Sequence, residues 1–499
     1  MTSVPFPTRR LGRARAGAAL ALASALVGAS AVFMGGCETQ PKPAPEPRID
    51  AQIPDGEHGL RKLARDQYPD LTAAWKARDA KLSTAIDRSV GWFTTGTSRQ
   101  RYDTEHMGRL AEVVGNHERA GASVVAFREL LAKSPDEKSF QDAVYEQFEI
   151  WQSRGYDDKG TVFFTGYFSP EIKASPVRTD TFKYPLFKRP KDLVTDSVTG
   201  EPLGRRGADG QITPWPTRKE LLESNAFAGN ELMWLASPLD VYICEVNGSA
   251  KLIMPDNAVK FVGYAGKTGL PYVGLGKSLV DAGVISKREL SLAAIQRLYR
   301  NDPAMVQKYM DQNGNMVFFS LYDGRNWPSG SLGVPVTDHV TLATDKKIFP
   351  QGLVVLADTE SPDYAGRMSP FNRFMLDQDT GGGIRTAGRA DIYMGVGAAA
   401  EILAGGQVAD GTFYYFVLKP EYVSKYPPPT KPGTGSKAKG EITSTQLNSK
   451  QGVGRTASGM VPSQTLGPEI VGKPEQSEDP TAAKGATPAP TPAPAPAPK

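Results

Sequence analysis

Between Ala73 and about Arg154 the apolar positions recur every third or fourth residue. AAWKARDAKLSTAIDRSVGWF, MGRLAEVVGNHE, SVVAFRELLAKS and FQDAVYEQFEIWQSRG all carry this spacing, which gathers apolar side chains on one face of a helix. Gly, Ser-Pro-Asp and Thr-Gly separate the runs and read as breaks. After Gly155 the period changes. GTVFFTGYFSP, DVYICEVNG, AKLIMP, VKFVGYAG, MVFFSLYDG, VTLAT, LVVLAD, RFMLDQD and TFYYFVLKP are short, β-branched or aromatic, and mostly bounded by Gly, Pro or Asp, as strands are. Two helical patterns, Gly276 to Ala282 and Lys287 to Met310, interrupt them. Many short strands with few long helices predict a mainly β barrel or sandwich.

The two ends break the pattern. Arg9, Arg10, Arg13 and Arg15 precede an uncharged run from Gly17 to Met34, and Gly35-Gly36-Cys37 follows; a basic stretch, an apolar stretch and small residues read as an export signal. The competing reading is a permanent membrane anchor, for which the run is barely long enough. Small residues before a cysteine resemble a bacterial lipobox, with Cys37 as the lipid-bearing first residue of the mature chain and Met34 where Leu is usual. Residues 37–70 then form a Pro-rich tether. At the other end, residues 421–499 carry PPPTKPGTGSK and ATPAPTPAPAPAPK, too poor in apolar surface to offset the entropy of ordering, so a disordered, non-catalytic tail is expected. With Cys37 acylated, Cys244 is left without a disulfide partner; on a strand face shared with Tyr242 and Val246 it reads as a buried, inert thiol.

Charge and motif content narrow the chemistry. Fifty-eight basic against 54 acidic side chains give a diffuse net +4, which does not point to nucleic acid. The four histidines form no HExxH, there is no CxxC, and no glycine-rich nucleotide loop is present, so no metal or cofactor is expected. Carboxylates remain. Asp358, Asp379 and Asp391 stand at strand ends, where separate segments of a barrel can converge; Asp358 taken alone reads better as a turn residue. Asp377 to Gly395 reads DQDTGGGIRTAGRADIYMG, and its single DTG leaves open a protease that pairs two such turns across a dimer.

That stretch also carries a family resemblance. DQDTGGGIRTAGRADIYMGVGAAAEILAG resembles the DTGGAI and DIYxG signature of the membrane-bound lytic murein transglycosylase A family. In the same order FTGYFSP is similar to FTGYYEP, YPLF to YP(I/L)Y, PTRKE to (P/Y)TRAEI, VNGSA to (I/V)QGSG, VGYAGKTGLPY to RVGYAGKNGHPY, and LATDKKIFPQG to AVDRxxIPLG. Departures are Asn247 for Gln, Ala250 for Gly, Ser169 for Glu and Gly383 for Ala.

The resemblance implies a double-psi β-barrel with a second, smaller β-barrel inserted and a saccharide groove between them, preceded by the helical region. The expected divisions are a signal at 1–36, helices and first barrel strands at 71–172, the insertion at 173–313 and the aspartate-bearing barrel at 314–420. It further implies cleavage of the β-1,4 bond between N-acetylmuramic acid and N-acetylglucosamine, with the muramyl C6 hydroxyl closing a 1,6-anhydro ring. Asp391 would be the lone acid/base, kept protonated by burial or by Asp379 beside it, with Asp358 as third member. Thr165, Gly166, Tyr167, Asn247, Gly248, Ser249 and Lys267 would line the groove. Implied partners are peptidoglycan glycan strands, a membrane reached through the lipid on Cys37, and a cell-wall enzyme complex, on the periplasmic side of the outer membrane. A wall-binding barrel without catalysis is the alternative from another class; it would not need Asp391 with a buried partner.

Overall fold

The helical spacing near the N-terminus winds into helices whose starts are set by side-chain caps. Asp79, Asn116 and Asp136 accept the N–H groups of Leu82, Arg119 and Ser139, filling donors that a first turn leaves open. The computed structural model describes residues 53, 58–286 and 289–429. The expected signal, Cys37 and the tail beyond residue 429 lie outside the described residues.

The strands fall into three groups. β1 (Leu60–Lys62), β2 (Phe148–Ser153) and β3 (Val162–Ser169) come first. β4 (Glu171–Ser175), β5 (Tyr184–Phe187), β6 (Leu193–Thr195), β7 (Pro202–Arg206), β8 (Ile212–Thr213), β9 (Glu231–Leu235), β10 (Ser249–Ile253), β11 (Val259–Lys267) and β12 (Val317–Tyr322) follow. β13 (Thr341–Ala343), β14 (Val354–Pro362), β15 (Met368–Asp379), β16 (Arg389–Val396) and β17 (Val408–Leu418) end the set.

The first and last groups share one sheet, in the order β1-β2-β17-β14-β15-β13-β16-β3, and β3 pairs back onto β17. The strands from β17 to β3 therefore close into a ring. Its pairings are mixed, parallel for β13–β15 and β16–β3 and antiparallel elsewhere. The fully buried Phe349 packs on β17, stacked on Tyr415 with ring centres 5.8 Å apart and edge-on to Phe413 at 5.0 Å. Six strands of the middle group form a second sheet, β12-β11-β10-β4-β9-β5, whose two ends a bridge between Lys188 and Phe319 joins into a smaller barrel, while β6, β7 and β8 form a small sheet of their own. Only Pro170 separates β3 from β4. This sheet runs from Glu171 to Tyr322, wider than the expected insertion.

Three expectations change. FEIWQS is strand, not the end of a helix: Phe148 and Ile150 are fully buried, and β2 pairs with β17 along its length. DVYICEVNG lies in a helix, Pro238–Asn247, not a strand. Ser237 caps it, Pro238 opens its first turn, and Gly248 closes it at φ +68, end signals that outweigh the β-branched content. Cys244 is buried in that helix and burial pushes its thiol up, so the inert reading holds on a different element. Third, the chain stays ordered past residue 421. Tyr422 and Tyr426 donate to Glu146 and Gln147 at 3.0 and 2.8 Å, and Pro428 lies against Gly121. Helices also occur within and after the insertion, so the chain is richer in helix than a mainly β reading implies. Among the described residues no helix is long and apolar enough to cross a membrane.

Candidate active site

β13 is short, and it sets the site. Its Ala343 pairs with Asp379 of β15 on one side and with Asp391 of β16 on the other. Two strand spacings separate the acids, about 10 Å between backbones. An aspartic dyad sharing one proton needs carboxyls in contact, so this DTG turn is not half of a dyad within the chain.

Asp391 is 8 % exposed. Its parallel neighbour Thr165 donates its hydroxyl to Oδ1. Arg389, two residues earlier on the same face of β16, donates Nε to Oδ1 at 3.1 Å, while its Nη2 stands 3.5 Å from Oδ2 and 3.2 Å from the Thr165 hydroxyl. Nη1 donates to the Gly383 carbonyl at 3.2 Å, tying the pair to the glycine turn. The carboxylate in turn holds the guanidinium above its ordinary range. The neighbour of Asp391 is thus a cation rather than the expected carboxylate.

Asp379 is engaged elsewhere. Its Oδ1 accepts the N–H groups of Ser331 and Thr380 at 2.9 and 2.8 Å, and its Oδ2 accepts the Tyr167 hydroxyl at 2.7 Å. Burial nonetheless pushes its carboxyl up, against the pull of those donors. Tyr167 is half-buried, its ring 5.1 Å from that of Tyr393. Deeper in the ring, the fully buried Asp377 meets Lys346, the Thr344 hydroxyl at 2.8 Å and the Tyr415 hydroxyl at 2.6 Å. Burial moves both charges of that pair towards neutrality, raising Asp377 and lowering Lys346.

The other expected residues divide. Asp358 is exposed in mid-strand, opposite Asn372 and Thr412. From Asn372 to Asp379 along β15 is on the order of 20 Å, so Asp358 is not a third member of the site; β14 runs on to Pro362 instead of ending at this acid. Gly166 faces away from Asp391, and a Cβ there would lie 2.8 Å from Ala404 Cα, so it serves the packing of helix Gly397–Gly406. Asn247 donates to the Ile243 carbonyl at 2.9 Å and Gly248 closes the same helix; both shape a helix end. Ser249 is buried and meets Ser169 at 2.9 Å, which meets the Tyr393 hydroxyl at 3.0 Å, stitching the second sheet to the ring. Lys267 is half-buried at the end of β11; burial lowers its amine, and Arg385 and Lys347 of the ring are close enough to add to that effect.

Two residues outside that expected set complete the site. Arg389 was legible, since alternation places it beside Asp391. Tyr272 was not: it lies outside any strand or helix, yet its ring rests on the glycine turn, where a Cβ on Gly383 would be 3.4 Å from Tyr272 Cε1. Among the described residues no group of His, Cys, Asp and Glu could hold a metal ion.

Comparison with known proteins bears on the same elements. Residues 163–320 match the family described as the MltA specific insert domain, and residues 340–417 match the 3D domain family. The membrane-bound lytic murein transglycosylase A of Vibrio cholerae is 31% identical over 274 residues, 54% of this chain and 69% of that protein. The protein of the same name from Escherichia coli K12 is 31% identical over 264 residues, 52% of this chain and 66% of that one. Among solved structures, a membrane-bound lytic murein transglycosylase from Agrobacterium tumefaciens superimposes with a TM-score of 0.58 at 24% identity, over 74% of this chain and 99% of the other. E. coli MltA with bound chitohexaose gives 0.54 at 23% identity, over 75% and 100%. These two likenesses are of fold: a ring of mixed strands carrying an inserted sheet.

Proposed function

The chain belongs to the membrane-bound lytic murein transglycosylase A family, and on that premise we propose that it is a peptidoglycan lytic transglycosylase in which Asp391 alone makes both proton transfers. The observation that carries this reading is the unequal loading of the Asp391 oxygens. Oδ1 takes Thr165 and the nearer Arg389 nitrogen, while among the described residues Oδ2 has only the 3.5 Å approach of Nη2. Oδ2 is therefore the oxygen that takes up a proton when the acid form is reached and gives it to the glycosidic oxygen as the bond from muramyl C1 breaks. Arg389 favours the carboxylate, so the acid form is the one the bound sugar must meet. The carboxylate left behind faces an oxocarbenium-like ring, and Arg389 and Thr165 stabilise it at that stage. It then takes the proton of the C6 hydroxyl as that oxygen bonds to C1, which returns Asp391 to its acid form and gives the 1,6-anhydro sugar. An ordinary glycosidase would need a second carboxylate free to hold water or to bond the sugar. Three donors occupy Asp379, and intramolecular attack removes the need.

Tyr167 and Asp379 act as a brace for the strand that carries Thr165, and Lys267, Arg389 and Tyr272 line the cleft for a glycan strand. The chitohexaose bound to E. coli MltA supports a β-1,4-linked saccharide as ligand. The words membrane-bound in the relatives' names support export and a lipid on Cys37. The test is digestion of peptidoglycan sacculi with mass spectrometry of the products. Anhydro-ended muropeptides are expected, with a loss of at least about 1,000-fold in Asp391→Ala, as for removal of an essential proton-transfer group. Reducing-end products would overturn the transglycosylase reading, and an active Asp391→Ala would overturn the assignment of the acid.

A further inference from the structure

Tyr272 has two sides. One rests on the glycine turn beside Arg389 and Asp391; the other opens onto a depression of about 510 Å³ between helices Leu275–Asp281 and Pro303–Met310, lined by Tyr272, Gly274, Lys277, Asp281, Tyr309 and Gln312. That volume lies within the range of ligand sites. The lining is mixed: an ammonium, a carboxylate, an amide and two phenol rings. Lys277 and Asp281 pair at 2.5 Å and are 76% and 59% exposed; an exposed pair adds little stability, and both heads stand where a ligand can reach them.

The route from the acid to this depression is short and continuous: Asp391 to Arg389, Arg389 Nη1 to the Gly383 carbonyl at 3.2 Å, and Gly383 to the Tyr272 ring. Charges stand along this route: Arg389 and Asp391 act on Tyr272, and Arg385, Lys347 and Glu201 act on Lys267. The glycan of peptidoglycan has a feature that fits this layout. A short peptide leaves C3 of the muramyl ring, the ring whose C1 is attacked, and it carries several carboxylates and, in many walls, the ammonium of a diamino acid. At roughly 3.5 Å per extended residue, two or three residues reach from the scissile ring past Tyr272.

We propose that this depression is the subsite for the stem peptide of the muramyl residue being cleaved, with Lys277 taking a peptide carboxylate and Asp281 the diamino-acid ammonium. The proposal rests on the transglycosylase reading above. It predicts that the enzyme reads the peptide as well as the sugar.

The experiment uses the full chain on two substrates: glycan strands with their peptides, and the same strands stripped by an amidase. The ratio of kcat/KM on the two is read from anhydro-ended products. The wild type is expected to favour peptide-bearing strands about tenfold, equivalent to about 1.4 kcal/mol. Lys277→Ala, Asp281→Ala and Gln312→Ala are each expected to bring the ratio below about threefold, chiefly through KM. Because the ratio is internal to each preparation, a partly inactive variant does not disturb it. A wild-type ratio near one, or a ratio untouched by all three substitutions, overturns the peptide subsite and leaves the transglycosylase standing. Failure to form anhydro ends on either substrate overturns both.

Discussion

Asp379 holds three donors and is still pushed towards its protonated form by burial. The folded state therefore keeps this proton to higher pH than the unfolded chain does, so its contribution to stability falls as pH rises from the ordinary carboxylate range, about 4, through the folded value. Asp379→Asn removes that titration. Urea unfolding of wild type and variant at acidic and neutral pH should show the variant gaining relative stability as pH rises; a difference that stays flat would count against the assignment. An amide can keep one oxygen on the two N–H groups and turn its nitrogen to Tyr167, so activity should fall only about tenfold, the loss of roughly one charge-assisted hydrogen bond. At this scale the sequence was informative where local rules sufficed. Elimination left the acids, and alternation along β16 is the signal that would have added Arg389 beside Asp391. The sequence misplaced Asp358 because strand register is set by partners far along the chain, and it missed Tyr272 because the fold alone brings the insertion onto the glycine turn.

Among elements, the turn that follows β13 is joined to β15 by a buried ion pair. The side chains of Lys346 and Asp377 are 8% and 0% exposed, and Thr344 and Tyr415 also donate to Asp377. Removing one partner leaves an uncompensated charge in the interior, so Lys346→Met should cost about 3–5 kcal/mol. Adding Asp377→Asn keeps an acceptor for Thr344 and Tyr415 while deleting the charge, and the double variant should recover at least about 1 kcal/mol of that loss. Denaturant midpoints of the wild type, both single variants and the double variant decide it; strict additivity would mean that the two groups do not interact. Gln378, between the acids, ties β15 to helix Ala80–Trp92 through Nε2 to the Ala85 carbonyl at 2.8 Å and the Ser89 hydroxyl at 2.9 Å. Element type was readable where period and end signals agreed. In FEIWQS and DVYICEVNG they disagreed, and pairing with β17 settled the first while Ser237, Pro238 and Gly248 settled the second.

Across the whole molecule, the N-terminal helices and the ring share one apolar core: Phe127 packs 5.1 Å from both Phe374 and Phe416. β2 extends the ring's sheet through β17. A chain starting at Gly155 would bare that core and one edge of β17. It should bind a hydrophobic dye and lack near-ultraviolet circular dichroism, as a loosely packed state does; a cooperatively folded, active truncation would contradict this. The sequence separated helical from strand-rich regions, but the closing of the ring depends on contacts between distant segments, and local spacing cannot convey it. The two crossings between ring and insertion are unequal. Pro170 alone makes the entry, whereas the return runs through Gly330 and Ser331, where a Cβ on Gly330 would lie 2.7 Å from the Gln378 carbonyl and the Ser331 N–H holds Asp379. Anyone grafting a foreign insertion onto this scaffold can cut at residue 170, but the downstream seam must come before Gly330, because that short piece belongs to the host.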